Sequence, residues 1–327
     1  MAESMTLLKE PPILDCAPVL DDFKSAVLRG LGRAQKAIPP MFFYDAVGSR
    51  LFEDICNAPE YYPTRAELAL MQAHGDAIAG AIGPKRTIIE LGAGAPLKAQ
   101  QLLKSLNDPA SYIAMDVSLS ALEETVATLS DDFPSLPVQG ICADFANPPD
   151  IPPAWEQNSQ GRVAWFPGST IGNLEPDVAE DFLRRLAHLV GPDGGLLIGV
   201  DLAKDAEILN AAYNDAKGVT ARFNLNLLTR MRSELGAHLS EHQFAHHAFF
   251  NADKSCIEMH LRAQEPARIK IGDAEFGFKK GETIHTECSY KYTVSDFQAL
   301  GNRAGLSANA VWMDPNQLFS LHYLTPT

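Results

Sequence analysis

The segment that decides the fold is TIIELGAGAPLK, at residues 87–98. An apolar run ends at Leu91, two glycines follow at Gly92 and Gly94, and a helical pattern begins at Leu97. An apolar run, a glycine turn and an amphipathic segment are typical of the first strand, loop and helix of a nucleotide-binding α/β sheet. Two glycines at a strand end allow the backbone to turn tightly and to approach a ligand closely.

The same alternation continues along the chain. Apolar runs of about five to eight residues, the length of a buried strand, recur at 112–117, 138–145, 162–169 and 195–202. Helical patterns lie between them, for example at 97–106 and 178–190. Buried runs separated by helices predict βαβ units and a parallel sheet. After an expected helix at 295–306, two runs at 310–314 and 318–324 are joined by a short connection, which predicts antiparallel pairing.

Two segments interrupt this alternation. Residues 1–65 are helical in pattern and punctuated by prolines, and residues 204–291 have a helical half followed by strand patterns. The strand patterns lie at 256–263, 267–282 and 285–292. We expect both segments to fold together as a smaller α+β domain that covers one end of the sheet, leaving 66–203 and 292–327 for the sheet domain.

The composition points to a globular protein that binds a small molecule. The chain has 327 residues, 46% hydrophobic and 21% charged, with a net charge of −14. Because such an acidic surface repels phosphates, we expect no nucleic-acid partner. No apolar run approaches the roughly 18 residues that a membrane span requires, so no membrane partner is expected. The five cysteines form no CxxC pair, which favours reduced thiols in a cytoplasmic protein. We expect a monomer.

Three predicted strand ends carry the residue types of a nucleoside site. Gly92 follows the first strand, and Asp116, 22 residues after Gly94, ends the second, where its carboxylate can accept from ribose hydroxyls. Asp144 and Phe145 end the third and can bracket an adenine. The third glycine of GxGxxG is missing, which disfavours the pyrophosphate of NAD or FAD. S-adenosylmethionine fits better.

Polar side chains for a second ligand follow later in the chain. GSTIGNLEP (168–176) places Asn173 after the fourth strand, where its amide can donate to a carboxylate and accept from an amine. Glu287 and Ser289 alternate along one predicted strand, so they share a face and can hold a ring N–H and a ring nitrogen. Spacing alone leaves open a plain turn at Asn173 and a solvated strand face at 287–289.

The blocks FYDAVGSRLFEDI, PEYYPTRAE, ELGAG, GSTIGNLEP, DLAKD, AYNDAKGVTARFN, IEMHLRA, TECSYKY and MDPNQLFSL occur in this order over roughly residues 38–325. Together they resemble the S-adenosylmethionine-dependent histidine Nα-methyltransferases of ergothioneine biosynthesis. The resemblance implies a Rossmann-like class I methyltransferase sheet, parallel with an antiparallel C-terminal hairpin, plus the smaller substrate-binding domain. It also implies three methyl transfers to the α-amino group of L-histidine, giving hercynine, without a metal.

The resemblance assigns residues to both ligands. The implied cofactor contacts are Gly92, Lys98, Asp116, Asp144 and Phe145. The implied histidine contacts are Tyr61, Asn173, Tyr213, Met259, Glu287 and Ser289, and the implied catalytic residues are Tyr44, near the reacting amine, and Asn173.

Two other functions remain open. One is a methyltransferase of the same family that acts on another aromatic amino acid, such as a tryptophan derivative; the other is a silent nucleoside-binding module. The Glu287 and Ser289 pair favours an imidazole, and the polar residues at the implied substrate contacts other than Met259 favour an enzyme. His238, His242 and His246 recur every four residues and would share a helix face, but nothing else near them suggests a metal site.

Overall fold

Strands and helices alternate along most of the chain. The structure is a computed structural model that describes residues 12–16 and 22–327. The strands of these residues are β1 (Ile13–Asp15), β2 (Lys36–Ala37), β3 (Thr87–Leu91), β4 (Ser111–Asp116), β5 (Val138–Cys142), β6 (Arg162–Phe166), β7 (Gly195–Asp201), β8 (Phe244–Asn251), β9 (Cys256–Ala263), β10 (Ala267–Ile271), β11 (Ala274–Phe278), β12 (Thr283–Tyr290), β13 (Leu306–Met313) and β14 (Phe319–Pro326). The α-helices are α1 (Phe23–Leu31), α2 (Ala46–Cys56), α3 (Pro63–Ile82), α4 (Leu97–Ser105), α5 (Leu119–Asp132), α6 (Pro176–Val190), α7 (Ala206–Ala212), α8 (Val219–Leu235) and α9 (Val294–Arg303).

The largest sheet has eight strands in the order β1-β5-β4-β3-β6-β7-β14-β13. Neighbours from β1 to β7 are parallel, whereas β14 is antiparallel to both β7 and β13. The chain proceeds from β3 to one side through β4 and to the other through β6, so the strand order reverses at β3. Ligands bind at the carboxyl ends of the strands at such a point. This is the predicted class I methyltransferase sheet with its antiparallel C-terminal hairpin.

Burial on both faces explains the continuous apolar runs of the central strands. All five residues of β3 are buried. Ile89 and Leu91 pack into the hydrophobic cluster on one side of the sheet, and Ile88 packs into the cluster on the other. Phe166 and Trp165 of β6 divide in the same way. A strand covered by helices on both faces does not alternate between polar and apolar residues, because all of its side chains are buried.

A second sheet has four strands in the order β2-β12-β9-β8, and β10 and β11 form a separate hairpin. Side chains from α1, α2, α8 and this sheet share one hydrophobic cluster, in which the rings of Phe43 and Phe223 stack at 4.5 Å. Parts of 22–65 and of 204–291 therefore pack together. The exact division of the chain into two domains stays a prediction.

One part of that division is wrong. Residues 13–15 form β1, which lies at the edge of the large sheet and pairs in parallel with β5, with Ile13 opposite Gly140. A Cβ atom on Gly140 would lie 3.1 Å from Ile13 Cγ1, so the glycine makes room for this strand. Three residues are too few to show a strand period in the sequence. Residues 1–11 and 17–21, also assigned to the smaller domain, lie outside the described residues.

The histidine-rich segment is not an α-helix. It forms a short 3-10 turn at Glu241–Gln243 and then β8, so the three histidines have no common helix face. His246 Nδ1 accepts from Asn224 Nδ2 at 2.9 Å, and His246 Nε2 donates to the Tyr213 carbonyl at 2.9 Å. This histidine therefore supports the segment that carries Tyr213.

The helix expected at 295–306 ends earlier in the structure than the sequence predicts. The helix α9 ends at Arg303, and Gly305 follows with a φ of 82°, so Leu306 already belongs to β13. Glycine favours this left-handed conformation, which stops a helix. Within residues 12–16 and 22–327, the helices are either too short or too polar to cross a bilayer.

Candidate active site

The ends of β3, β4 and β5 meet at one edge of the sheet. Gly92 N donates to Met115 O at 2.9 Å, and Ala143 N donates to Asp116 O at 2.9 Å. The φ of Gly92 is 73°, a left-handed conformation that favours glycine. A Cβ atom on Gly92 would lie 3.7 Å from Phe145 Cε1. Residues predicted to contact the cofactor from three separate strands thus surround one space.

The two carboxylates at this edge are oriented by their own loops. Asp116 Oδ1 accepts from Ser118 N at 2.9 Å, and Asp144 Oδ1 accepts from Ala146 N at 2.9 Å. Burial raises the pKa of Asp116, and the backbone N–H of Ser118 opposes that rise. The Phe145 ring lies 5.6 Å from another buried ring, which fixes its orientation. An oriented acid and a fixed ring are suited to a ribose and an adenine.

Lys98, the fifth predicted cofactor contact, is held by a buried acid. Lys98 Nζ lies 2.5 Å from Glu67 Oε2, and Gly168 N donates to both Glu67 carboxylate oxygens at 3.0 Å. Glu67 is completely buried. A Cβ atom on Gly199 would lie 2.4 Å from Glu67 Oε1, so that glycine makes space for the carboxylate. The sequence does not predict Glu67, because it is one charge among several near the start of a helix.

Asn173 is brought close to β12 because the backbone of the preceding residue, Gly172, contacts that strand. It ends a 3-10 turn at Thr170–Asn173 that follows β6. A Cβ atom on Gly172 would lie 2.8 Å from Tyr290 O, so only glycine lets this turn approach β12 so closely. Asn173 and Glu287 line one cavity of about 270 Å³. Two predicted substrate contacts that are distant in sequence are therefore neighbours.

Glu287 and Ser289 lie on the inner face of β12. Glu287 is paired with Met259 of β9 across the antiparallel ladder, so all three side chains project to the same side. Glu287 is 7% exposed, Ser289 4% and Met259 2%. Burial of this kind excludes the solvated strand face that spacing alone left open.

Aromatic side chains surround this face. The rings of Tyr61 and Tyr213 meet edge to face at 6.3 Å, and the ring of Tyr44 lies 5.7 Å from that of Phe223. Tyr44 keeps 45% of its surface accessible, so the loss of solvation that raises its pKa acts mainly at the hydroxyl end. The charge of Glu287 adds to that rise. The Tyr44 hydroxyl is thus neutral near pH 7.

The end of β7 carries a buried ionic network. Asp201 is 1% exposed; its carboxylate lies 2.8 Å from Lys291 Nζ and 2.6 Å from Lys204 Nζ, and it accepts from Tyr62 Oη at 2.8 Å. Burial alone would raise the pKa of Asp201, but the two ammonium groups outweigh it and hold the pKa below its usual value. Burial lowers the pKa of Lys204 to about 8. The carboxylate is therefore ionised at neutral pH.

This network fixes the direction of the hydrogen bonds around Ser289. Ser289 Oγ accepts from Tyr213 Oη at 2.8 Å and from Lys291 Nζ at 2.7 Å. Both lone pairs of the hydroxyl are then occupied, so Ser289 can only donate its own hydrogen. Tyr213 Oη also accepts from Lys291 Nζ at 3.2 Å, which leaves it one lone pair and no free hydrogen. The pocket therefore offers a donor at Ser289 and an acceptor at Tyr213.

The sequence predicts neither Asp201 nor the two lysines as site residues. Asp201 and Lys204 lie in DLAKD, and Lys291 lies in TECSYKY, so the resemblance marks the blocks but not these roles. Tyr62 is adjacent to the predicted Tyr61. The two lysines share Asp201 as a partner only because the fold brings the end of β7 next to the end of β12.

The acidic group of the pocket titrates near neutrality. Burial raises the pKa of Glu287 to about 7, and the positive charge of Lys291 opposes that rise. A carboxyl group with this pKa is present in both forms near pH 7 and can accept from a ring N–H once ionised.

The fold and these residues define a class of protein. A mostly parallel sheet whose strand order reverses at β3, with a glycine turn and oriented carboxylates at that edge, has the architecture of a class I methyltransferase. The profile of a family described as histidine-specific, S-adenosylmethionine-dependent methyltransferases matches residues 23–326. The chain belongs to this family, as its sequence blocks predict, and it is an S-adenosylmethionine-dependent N-methyltransferase.

Several individual proteins are similar to this chain over most of its length. The chain is 38% identical to the histidine N-alpha-methyltransferase of Mycolicibacterium smegmatis, over 90% of this chain and 92% of that protein. It is 29% identical to ergothioneine biosynthesis protein 1 of Neurospora crassa, over 88% of this chain and 33% of that longer protein. Among solved structures, the CcbJ methyltransferase of Streptomyces caelestis is similar with a TM-score of 0.44 and 14% identity, over 79% of this chain and 96% of that one.

The raised pKa of Glu287 predicts a pH-dependent contribution to stability. From the ordinary value of 4.5 up to about 7, the folded protein keeps a proton that the unfolded chain has lost. The stabilisation from this proton is complete below pH 4.5 and is lost as the pH rises through about 7. Relative to Glu287→Gln, the wild-type free energy of unfolding should therefore fall by roughly 3 kcal/mol across this range. Urea unfolding of both proteins between about pH 5 and pH 8 measures the difference, and parallel curves would contradict it.

Proposed function

We propose that the protein transfers the methyl group of S-adenosylmethionine to the α-amino nitrogen of L-histidine. Two further transfers to the same nitrogen complete the proposal and give the betaine hercynine, an intermediate of ergothioneine biosynthesis. The relatives support histidine and the ergothioneine context by their names. The polar groups of the inner face of β12 support the imidazole.

The observation that carries the proposal is the fixed polarity of Glu287 and Ser289. An imidazole ring carries one N–H and one bare nitrogen. Ionised Glu287 can accept from the N–H, and Ser289 can only donate, as the bare nitrogen requires. A ring with two carbons at these positions would leave both buried groups unpaired, which is costly.

The amino-acid end of the substrate belongs with Tyr213 and Asn173 in this proposal. Because Tyr213 Oη keeps one acceptor lone pair and no free hydrogen, it suits the α-amine rather than the α-carboxylate. The Asn173 amide, which can donate, suits the carboxylate. Tyr61 and Met259 fill the walls, and Tyr44 lies near the reacting amine.

The chemistry requires positioning more than acid–base catalysis. S-adenosylmethionine supplies a methyl group already activated by the positive sulfonium, and Gly92, Lys98, Asp116, Asp144 and Phe145 are the residues proposed to hold it. The amine must present its lone pair, so its proton has to leave first. An α-amino group titrates near pH 8, so a fraction is already neutral at pH 7. Holding that nitrogen in place accounts for the main rate gain.

A tryptophan derivative is the second substrate class within the family. An indole has one ring N–H and no bare nitrogen, so it could satisfy Glu287 but would leave the hydrogen of Ser289 unpaired. The buried pair therefore favours histidine.

The proposal predicts three products. Incubation of the protein with histidine and S-adenosylmethionine should yield species heavier by one, two and three methyl groups, because the same nitrogen remains in place for each transfer. Mass spectrometry with fragmentation locates the methyl groups. Methylation confined to a ring nitrogen would disprove the proposal.

Removal of the Glu287 carboxylate should change specificity as well as rate. Glu287→Ala should lower kcat/KM for histidine about 10- to 100-fold, since a charged hydrogen bond contributes roughly 1.5–3 kcal/mol. It should also narrow the preference for histidine over phenylalanine, because the buried carboxylate no longer penalises an apolar ring. Both substrates are to be measured on both proteins. An equal loss for the two substrates would make Glu287 a structural residue.

The two lysines of the network should differ in their effect on histidine. Lys291→Met removes a donor to both Ser289 and Tyr213, so KM for histidine should rise about tenfold or more. Lys204→Met is the matched control, because it removes the other cation from Asp201 but no contact to Ser289. Steady-state kinetics should show a much smaller rise in KM for this control. If both variants raise KM equally, the lysines act only through Asp201.

A further inference from the structure

The outer face of the substrate sheet carries a cluster of metal-ligating side chains. Glu258 of β9 is paired with Cys288 of β12, and His260 is paired with His285. Cys256 lies two residues before Glu258 on the same strand. Residues opposite each other in an antiparallel pair, and alternate residues of one strand, share a face. All five side chains therefore project to the side of β12 that is opposite Glu287 and Ser289.

The ligating atoms of this cluster are close together. The sulfur atoms of Cys256 and Cys288 are 3.9 Å apart, and Cys288 Sγ lies 3.4 Å from His285 Nε2. The thiols and the carboxylate of Glu258 all lie within 4.8 Å of one another. Cys256, Glu258 and Cys288 are buried, whereas His285 is half-buried.

The spacing of the two thiols matches that of two ligands on one zinc ion. With bonds of about 2.3 Å from zinc to sulfur, two thiolates on one ion lie roughly 3.8 Å apart. That separation is close to the observed distance between Cys256 and Cys288. A carboxylate and an imidazole are the other ligand types that zinc accepts in proteins, and Glu258 and His285 offer them. Two thiolates among the ligands disfavour magnesium and calcium, which prefer oxygen.

Charge and access are also suitable. Two thiolates, one carboxylate and Zn²⁺ leave one negative charge, and Lys254 Nζ lies 2.9 Å from Glu258 Oε1, where it can balance that charge. Glu258 is further oriented by Asn251 Nδ2, which donates to it at 2.8 Å. Cys288 and His285 line the same cavity of about 270 Å³ as Asn173 and Glu287, so this cavity reaches both faces of β12 and gives an ion a path to the cluster.

We propose that Cys256, Glu258 and Cys288 bind one zinc ion on the outer face of the substrate sheet, and that His285, beside Cys288, moves closer as the fourth ligand. The ion takes no part in methyl transfer. It holds β9 and β12 together behind Glu287 and Ser289, because Cys288 lies between those two residues on the same strand. Binding releases the thiol protons, since zinc binds thiolates. The sequence predicts no metal, and the proposed site departs from that expectation.

The test uses the full chain, kept reduced with a phosphine that does not bind metal as a thiol would. Titration with Co²⁺ should give one equivalent of bound ion, with a thiolate charge-transfer band in the near ultraviolet and the intense visible bands of tetrahedral cobalt. Zn²⁺ should displace it. Cys256→Ser and Cys288→Ser should each weaken Zn²⁺ binding at least about 100-fold, because even groups outside the coordination shell change affinity 10- to 100-fold. Cys16→Ser is the matched control, since this cysteine is exposed and on another strand end, and it should bind normally.

A measurement on the unmodified chain avoids the risk that a variant fails to fold. Zn²⁺ should protect Cys256 and Cys288 from alkylation but leave Cys16 reactive, as peptide mass spectrometry would show. Octahedral cobalt spectra without a thiolate band, or alkylation rates of Cys256 and Cys288 that Zn²⁺ does not change, would overturn the proposal.

Discussion

The ion pairs of the buried Asp201 carboxylate connect the two sheets on which the candidate active site is built. Asp201 ends β7 of the large sheet, yet one of its two cationic partners is Lys291, which directly follows β12 of the smaller sheet. A charge in this environment is tolerated only with its partners, and the loss of one costs roughly 3–5 kcal/mol. The pairing therefore fixes the carboxyl end of β7 and the end of β12 relative to each other.

The same ion pair gives the pocket a defined polarity before any ligand arrives. Lys291 donates to Asp201, Ser289 and Tyr213, so its three protons all have partners. Neither oxygen in the pocket has to reorient when a ligand binds, and a preorganised site pays no reorganisation cost at that moment. Under the proposed function, specificity would originate in a lysine that has no direct contact with the substrate ring.

The sequence predicts the parts of this molecule that local pattern determines. The central strands are visible because both faces are buried, and the glycine turn at Gly92 is visible because few residues adopt its backbone conformation. Burial of Glu67 and Asp201 is invisible, because it depends on partners that come from other segments. The interval of four residues at 238–246 is ambiguous, since four fits a helix period of 3.6 and a strand period of 2 equally well. The strand β1 is too short to show any period.

The position of β14 has a consequence for how the protein folds during its synthesis. This strand lies between β7 and β13, and its first residue, Phe319, pairs with Asp201. Until residues 319–326 leave the ribosome, β7 presents an open, apolar strand edge, of the kind that promotes aggregation. In the nascent chain, the carboxylate of Asp201 also lacks its partner Lys291 until that residue has been synthesised. The pairing of β7 with β14 and of Asp201 with Lys291 can therefore form only after residues 291–326 have been synthesised.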